Sequence, residues 1–264
     1  MNTPMSTPMS TPMSTPIAVI TGASRGLGKS AALKLAQQGT DVILTYHSQQ
    51  EQARAVVAQI EAMGAKAVAL QLDAGDSAGF PAFAARVQTV LREHWGRERF
   101  DFLVNNAGVG IHAAFSDTEE AQFDQLMNIH FKGVFFLTQR LLPLMADGGR
   151  IVNVSSGLTR FALPGYAAYA AMKGAVEVLS KYLAKELGTR GIAVNVIAPG
   201  AIETDFGGAQ VRDNAQLNAF IAAQTALGRV GLPDDIGGAV AALLSQNSGW
   251  INAQRIEASG GMFI

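Results

Sequence analysis

The chain has 264 residues, of which 48% are hydrophobic and 16% are charged, and its formal net charge is −1. This length and composition suit one large α/β domain, or two small ones, with a substantial core. The near-neutral charge and the lack of a basic block exclude an electrostatic footprint for nucleic acid. Because the chain contains no cysteine, disulfides and thiolate metal sites are also excluded.

The distribution of histidines and apolar residues excludes two further classes of protein. The four histidines are scattered without the spacing of metal ligands. No apolar run reaches the roughly 18 residues that a membrane span requires. We therefore expect a cytoplasmic protein that contacts neither a membrane nor nucleic acid.

The first sixteen residues form a segment of their own. The tetrapeptide Thr-Pro-Met-Ser begins at Thr3 and recurs at Thr7 and Thr11 before Thr15 and Pro16 end the series. Proline removes a backbone donor at every fourth position, and the repeat has neither an apolar stripe nor the regions of a signal peptide. We predict a disordered, low-complexity tail over residues 1–16 and a single domain over residues 17–264.

A glycine-rich turn follows the first predicted strand, Ile17 to Thr21. Its glycines are Gly22, Gly26 and Gly28, and a helical pattern continues from there to Gly39. A strand, a glycine turn and a helix in this order place backbone N–H groups against a phosphate. The pattern predicts nucleotide binding, whereas a glycine-rich turn without a ligand is the alternative. The predicted binding residues of the turn are Gly22, Ser24, Arg25, Gly26, Leu27 and Gly28.

The end of the second predicted strand, Asp41 to Tyr46, indicates which dinucleotide to expect. An acidic residue there would bind a ribose 2′-hydroxyl and repel a 2′-phosphate. The chain instead has Tyr46, His47 and Ser48, and Arg25 in the glycine turn can reach a 2′-phosphate. The pattern favours NADPH over NADH, unless Arg25 is only a solvated surface charge.

Further cofactor contacts are expected at the carboxyl ends of three later strands. These strands are predicted over residues 66–72, 102–104 and 192–198, and small residues after them would leave room for a cofactor. The predicted contacts are Asp73, Ala74, Asn105, Ala107, Gly108, Pro199, Gly200, Ile202 and Thr204. Asp73 would accept a hydrogen bond from an adenine amino group or cap its own turn, and the segment after Asn105 could equally be an ordinary turn.

Tyr169 and Lys173 are four residues apart in a predicted helix that runs to about Gly188, so their side chains lie one turn apart on the same face. An ammonium there favours the phenolate, so we expect the tyrosine pKa to fall from about 10 towards the working pH. Such a phenol can give a proton to a carbonyl oxygen, and the Ser156 hydroxyl could hold that oxygen. The alternative is a tyrosine packed at a helix edge beside an exposed lysine.

Strand–helix units alternate along the chain at the spacing of a doubly wound parallel α/β sheet. In such sheets, ligands bind beyond the carboxyl ends of the strands. Gly22, Asn105, Ser156 and Pro199 all fall at these ends. This coincidence favours the catalytic interpretation of Tyr169.

Three other segments are expected to shape the site. Asp117 and Glu120 have the spacing of a helix capping box. The apolar helix predicted from Phe123 to Met145 contains Asn128, whose amide needs a partner. Residues 205–229 carry few strong signals and are predicted to form a mobile lid with one or two short helices.

Together these motifs resemble the short-chain dehydrogenase/reductase family, from about Ile17 to Ile264. The matching motifs, in family order, are Thr21-Gly-Ala-Ser-Arg-Gly-Leu-Gly28, Asn105-Asn-Ala-Gly108, Asn128, Ser156, Tyr169-x-x-x-Lys173 and Pro199-Gly200 with Thr204. The resemblance implies a Rossmann-like fold with about seven parallel strands, a nicotinamide cofactor and a homotetramer.

The resemblance also implies a role for each residue of the motifs. Tyr169 would be the general acid/base, and Ser156 would donate a hydrogen bond to the carbonyl oxygen. Lys173 would lower the tyrosine pKa and bond the nicotinamide ribose. Asn128 would hold a water molecule that connects Lys173 to solvent, and the loop from Pro199 to Thr204 would hold the carboxamide and the nicotinamide face.

Within the family, the chain is most similar to NADPH-dependent 3-oxoacyl-[acyl-carrier-protein] reductases. The segments at residues 146–149, 252–254 and 258–260 depart from their pattern and disfavour a carrier-protein partner. We expect an NADPH-dependent reductase of a small, mostly apolar carbonyl compound. Its candidate pocket residues are Val109, Ile111, Phe161, Leu163 and Phe206. The alternatives are an NAD-linked alcohol, sugar or steroid dehydrogenase and a dinucleotide-sensing protein without turnover.

Overall fold

A computed structural model describes residues 15–264, which contain a seven-stranded sheet. All neighbouring strands run parallel, in the order β3-β2-β1-β4-β5-β6-β7. The strands are β1 Ile17–Ile20, β2 Asp41–Tyr46, β3 Ala67–Gln71, β4 Phe100–Asn105, β5 Met145–Val154, β6 Ala193–Pro199 and β7 Arg255–Ala258. The strand order reverses between β1 and β4, so a crevice for a ligand opens at their carboxyl ends.

Helices cover both faces of the sheet, as the predicted doubly wound fold requires. They are α1 Gly26–Gln37, α2 Gln50–Ala62, α3 Phe80–Trp95, α4 Glu120–Met127, α5 Gly133–Leu141, α6 Ala167–Glu186, α7 Gln210–Asp213, α8 Ala215–Ala223 and α9 Pro233–Leu244. A π-helical turn, Asn128–Lys132, joins α4 to α5. Between residues 15 and 264, no helix combines the length and apolar character needed to cross a membrane.

The core consists of two apolar layers, one on each face of the sheet. Side chains alternate between the faces of a strand, so Ala18 and Ile20 enter one layer while Ile17 and Val19 enter the other. Helices α1, α2 and α9 close the first layer, and α3, α5 and α6 close the second. Burial of β1 on both faces explains its continuous apolar sequence.

The connection between β4 and β5 differs from its prediction in three respects. The capping box forms between Glu119 and Gln122 rather than Asp117 and Glu120, because Asp117 belongs to a preceding 3₁₀ turn. The predicted single helix is interrupted by the π-helical turn. Strand β5 begins at Met145, where the helix was predicted to end, and its pairing with β4 shifts register between Phe100 and Phe102.

Two further predictions concern residues 205–229, which lie over the crevice, and the amino-terminal tail. The segment over residues 205–229 contains two short helices, α7 and α8, as predicted. The predicted disordered tail lies outside the described residues except for its last two. The Thr15 carbonyl accepts a hydrogen bond from Arg97 at 3.0 Å, and the Pro16 carbonyl accepts one from the Asp41 N–H at 2.8 Å. The backbone hydrogen bonds of the sheet therefore reach one residue before β1.

Candidate active site

The glycine turn packs directly against the loop that follows β4. The Thr21 hydroxyl accepts hydrogen bonds from the N–H groups of Asn106 and Ala107, both at 2.9 Å. Gly22 has φ +65°, and a Cβ there would lie 2.9 Å from the Ala107 Cα. A Cβ at Gly28 would lie 2.5 Å from the Gly22 carbonyl oxygen. Two predicted glycines are therefore required by close approach of the backbone at the start of α1.

The other predicted residues of this turn have different surroundings. Leu27 packs its side chain against the core, so it offers only backbone to a ligand. Ser24 is half-buried and Arg25 is exposed. Arg25 forms an ion pair with Asp205 at 3.4 Å, which connects the glycine turn to the segment over the crevice.

The end of β2 lies beside the glycine turn. The Gly22 N–H donates to the Thr45 hydroxyl at 3.1 Å, and the Ala23 N–H donates to the Thr45 carbonyl at 2.8 Å. Tyr46 is half-buried. The next two residues, His47 and Ser48, are exposed. The predicted 2′-phosphate residues are thus adjacent to the turn along β2.

Asp73 adopts the turn-capping alternative. One carboxylate oxygen accepts a hydrogen bond from the Gly75 N–H at 2.8 Å, and the other lies 3.6 Å from His47 Nε2. The carbonyl of Ala74 packs against Gly133, where a Cβ would lie only 2.2 Å from the oxygen. This contact fixes the end of β3 against the start of α5.

The side chain of Asn105, a predicted cofactor residue, belongs to a buried polar network. Its side chain is buried, and its amide donates to the Thr138 hydroxyl at 3.0 Å and to the Asn153 Oδ1 at 2.8 Å. Asn153 in turn donates to the Ser180 hydroxyl at 2.8 Å. The Asn105 side chain therefore braces the interior between β4, β5 and α6, so that only its backbone is left for the predicted cofactor contact, while Ala107 and Gly108 lie in the crevice loop.

Tyr169, Lys173 and Ser156 come together at the carboxyl end of β5, and all three are buried. The Lys173 ammonium lies 5.6 Å from the centre of the Tyr169 ring and donates to the Val154 carbonyl at 2.7 Å. The Ser156 side chain lies close enough to Tyr169 to affect the pKa of its phenol. The Ser156 hydroxyl also accepts the Leu158 N–H at 3.2 Å, which begins a 3₁₀ turn.

The pKa values of this group differ from the prediction. Burial raises the pKa of Tyr169, and this effect exceeds the lowering by the neighbouring Ser156 side chain. Burial also lowers the pKa of Lys173 to about 7. The predicted fall of the tyrosine pKa is therefore wrong for the protein itself, because removal of water penalises the charged form of both groups. Tyr169 stays protonated, and Lys173 titrates near neutral pH.

An ionic network that the sequence did not reveal braces the Ser156 loop. Glu177, one turn after Lys173 on α6, accepts hydrogen bonds from Ser155 at 2.6 Å and from Thr159 at 2.7 Å. It also pairs with Arg255 of β7 at 2.8 Å, and Arg255 donates to the Ser156 carbonyl at 3.2 Å. The spacing of Glu177 from Lys173 was the available signal, but only the fold brings β7 next to this loop.

The π-helical turn brings His130 to Tyr169, while the water-mediated connection of Asn128 to Lys173 stays a prediction. Asn128 begins the turn half-buried, and no hydrogen bond joins its side chain to Tyr169 or Lys173. His130, two residues later, is fully buried, and its ring centre lies 5.1 Å from that of Tyr169. A histidine inside an apolar helix needs polar partners as much as an asparagine does, and that signal was not used.

Apolar and aromatic side chains surround the Tyr169 end of the crevice. Val109 and Ile111 pack in the same cluster as Tyr169, and the Phe206 ring lies 5.7 Å from the tyrosine ring. Of the remaining predicted pocket residues, Leu163 is half-buried. Phe161 instead packs on Phe263 at 4.8 Å in a separate cluster with the C-terminal segment.

The loop after β6 forms the opposite wall of the crevice. A Cβ at Gly200 would lie 2.9 Å from the Ser259 Cβ, so the loop packs closely on the segment after β7. Thr204 lies 3.7 Å from the Cβ position of Gly26, and Ile202 pairs with Gly231. The predicted Pro199–Thr204 loop therefore extends from β6 to the glycine turn. Within residues 15–264, no group of acidic and histidine side chains could hold a metal ion.

The fold and this site define the class of protein. A family model described as enoyl-(acyl carrier protein) reductase matches residues 22–263. The chain belongs to the short-chain dehydrogenase/reductase family of oxidoreductases, which confirms the predicted resemblance and the predicted enzyme class.

Three relatives indicate where in this family the chain lies. The 3-oxoacyl-[acyl-carrier-protein] reductase of Staphylococcus aureus is 36% identical, over 94% of this chain and 98% of the relative. The structure of the promiscuous reductase LugOII, which catalyses a keto-reduction at C1 during lugdunomycin biosynthesis, has a TM-score of 0.90 at 37% identity and covers 96% of this chain and 100% of that one. The angucycline C-6 ketoreductase LanV, solved with bound NADP, has a TM-score of 0.89 at 36% identity and covers 94% and 95% of the two chains.

Proposed function

We propose that this protein is an NADPH-dependent ketoreductase in which Tyr169 protonates the carbonyl oxygen of an apolar ketone. The observation that carries the proposal is the position of Tyr169, Ser156 and Lys173. They meet, buried, at the carboxyl end of β5 and beside the loop that packs on the glycine turn. A proton donor, a hydrogen-bond donor and an amine in one crevice suit reduction of a carbonyl.

The glycine turn fits the pyrophosphate of a dinucleotide. Its backbone is held close to the loop after β4, and it opens onto the first turn of α1, where N–H groups favour an anion. Arg25 is exposed, and its ion pair with Asp205 is a solvent-exposed one, so the guanidinium can turn to a 2′-phosphate. The NADP bound to LanV supports the same choice of cofactor here.

Each residue of the site has a separate role in the proposed reaction. Bound NADPH would supply the hydride to the carbonyl carbon. Ser156 donates a hydrogen bond to the substrate oxygen, and Tyr169 gives its proton to that oxygen as the carbon–oxygen π bond breaks, so an alcohol results. Lys173 stabilises the phenolate that remains through its charge. Because burial raises the pKa of Tyr169, the phenol holds the proton that reduction of a carbonyl requires.

The surroundings of Tyr169 favour a ring-bearing ketone as substrate. The Phe206 ring lies 5.7 Å from the Tyr169 ring, and the Tyr166 ring, three residues before Tyr169, is in edge-to-face contact with His112 at 5.0 Å. Aromatic walls bind flat, apolar rings well. LugOII and LanV, which act in lugdunomycin and angucycline chemistry, support this choice.

A 3-oxoacyl thioester on a carrier protein is the second candidate, supported by the relative from Staphylococcus aureus. One observation disfavours it. Arg190, which matches a basic position of those enzymes, pairs with Asp147 at 2.7 Å and donates to the carbonyls of Leu142 and Met145. A neutralised arginine offers little attraction to an acidic carrier.

The proposal extends to the assembly and to the location of the protein. Exposed apolar side chains on α5 and α6 support the homotetramer that the family resemblance implies. They are Phe135, Phe136, Val178 and Tyr182. A cytoplasmic location and a single domain over residues 17–264 remain predictions.

The test is NADPH oxidation with a panel of polycyclic ketones, simple ketones and 3-oxoacyl thioesters, in wild type and in Tyr169→Phe. We expect the phenylalanine variant to lower kcat by about 10² to 10⁴ because the proton donor is lost. Tyr166→Phe is the matched control, since the residue four positions later is Ala170 and no amine accompanies it. Near-wild-type turnover by Tyr169→Phe would remove the assignment, and faster turnover of alcohols with NAD would favour a dehydrogenase.

A further inference from the structure

His130 is a buried polar side chain for which the reaction described above has no use. It lies in the π-helical turn between α4 and α5 and has no exposed surface. Insertions of this kind in a helix re-aim a side chain and occur often at functional sites. The turn delivers the imidazole between the crevice loop after β4 and the ring of Tyr169.

On one side, His130 holds the crevice loop. Its Nε2 lies 2.8 Å from the Val109 carbonyl oxygen and 3.2 Å from the Val109 backbone nitrogen, so the imidazole can hydrogen-bond Val109 in either neutral tautomer. His130 also packs tightly on Gly108. A Cβ added at Gly108 would lie only 2.6 Å from the His130 Cε1, so the imidazole leaves no room for a side chain there. Gly108 and Val109 belong to the loop that packs on the glycine turn, so this bond fixes one wall of the cofactor groove.

On the other side, His130 contacts the proposed acid. Its ring meets that of Tyr169 at 5.1 Å with an interplanar angle of 89°, an edge-to-face arrangement. Burial, followed by the charge of Lys173, lowers the pKa of His130 to about 3. The imidazole is therefore neutral in the working range, and Nε2 is the ring nitrogen that bonds Val109.

A histidine that only filled the core would have its polar atoms satisfied. The Nδ1 of His130 is buried without a hydrogen-bond partner among residues 15–264, which costs free energy. An apolar residue of similar size would avoid this cost. The imidazole is therefore poorly suited to a packing role alone, whereas both of its other contacts lie in the crevice.

We propose that His130 is a positioning residue that fixes the distance between the cofactor groove and the acid, through the hydrogen bonding of its Nε2 to Val109 and its ring contact with Tyr169. This inference depends on the proposed function, because Tyr169 must be the acid for its position to affect turnover. His130 itself touches neither substrate nor cofactor in this role. Its two contacts act on two different steps, so they can be separated.

Two substitutions test the two contacts. His130→Phe keeps a ring next to Tyr169 and loses the bond to Val109. His130→Gln keeps an amide that can donate to the Val109 carbonyl and loses the ring. His94→Gln, an exposed histidine on α3, is the control. The measurements are the dissociation constant of NADPH by its fluorescence without substrate, kcat at saturating NADPH, and the melting temperature.

We expect His130→Phe to weaken NADPH binding by about tenfold, as loss of one buried hydrogen bond does. We expect His130→Gln to bind NADPH within about twofold of wild type and to lower kcat about tenfold or more, because a misplaced acid slows proton transfer. The proposal would be overturned if both variants fold and each keeps the NADPH affinity and the kcat of the wild type. It would also be overturned if the two variants changed NADPH affinity and kcat in the same way.

The binding measurement keeps this test separate from that of the proposed function. If Tyr169→Phe retains turnover, the acid is misassigned, but the tenfold loss of NADPH affinity in His130→Phe still tests the contact with Val109. If His130→Phe does not fold, the kcat of His130→Gln at unchanged NADPH affinity decides the contact with Tyr169.

Discussion

The two edges of the sheet differ in whether their ionisable side chains are paired with an opposite charge. At the amino-terminal edge, a cleft of about 550 Å³ is lined by Asp101 and Asp147 among others, and each of these carboxylates is paired with an arginine. Arg150 lines the same cleft, but an arginine stays charged and supplies no acid. At the carboxyl edge, Tyr169 and Lys173 are buried, and no carboxylate within residues 15–264 forms an ion pair with the Lys173 amine. A buried ionisable group without a counter-ion identifies the chemistry of this protein better than the volume of a cleft does.

The largest effect on this contrast is expected from Lys173→Met, which removes the buried amine beside Tyr169. We expect kcat to fall by about 10² or more, because the phenolate of Tyr169 loses the charge that stabilises it. NADPH binding should be measured alongside, since the lysine is also proposed to bond the ribose. Turnover within about twofold of wild type would show that the amine does not serve the acid.

The same variant has a defined pH signature in stability. Lys173 titrates at about 7 in the folded chain against 10.5 for an ordinary lysine, so the unfolded chain binds more protons between these values. Stability from this group therefore rises with pH from about 7 towards about 10. We expect the wild type to gain more stability than Lys173→Met between pH 7 and pH 9.5 in urea unfolding. Parallel curves for the two proteins would contradict the lowered pKa.

A second prediction concerns the network behind Ser156. Glu177→Gln removes the ion pair with Arg255 and loosens the loop that carries the serine. We expect kcat to fall by about tenfold with little change in NADPH affinity, because the substrate oxygen is held less well. Glu186→Gln, on the exposed end of the same helix, is the control and should behave as wild type.

A third prediction concerns the dinucleotide. NADPH should raise the melting temperature more than NADH at equal concentration, because the end of β2 lacks a carboxylate and Arg25 is accessible. Arg25→Ala should reduce that difference and leave the shift with NADH almost unchanged. A larger shift with NADH in the wild type would reverse the interpretation of Arg25 and Tyr46.

The smallest effect is expected at the amino-terminal edge. Asp147→Asn breaks an exposed ion pair with Arg190, and such pairs contribute little to stability. We expect kcat for small ketones and NADPH affinity to stay within about twofold of wild type. A strong loss of kcat would connect this edge to the active site and remove the contrast between the two edges.

The outline of the site could be predicted from sequence because its signals are local. The glycine turn, the residues after each strand and the spacing of Tyr169 and Lys173 depend on strand and helix periodicity. These patterns also predicted the parallel sheet and placed the candidate residues at its carboxyl edge. Helix boundaries near Asn128 were less accurate, since the π-helical turn shifts the register of every later side chain.

The amino-acid sequence by itself determined the fold class, the family and the edge of the sheet where the chemistry lies, because spacing along the chain encodes periodicity. Only the tertiary structure decided the direction of the Tyr169 and Lys173 pKa shifts, since burial depends on what packs around a group. It also turned Asn105 inwards and brought His130 to the acid and Arg255 to the serine loop. These contacts join residues far apart in sequence, and no local pattern records them.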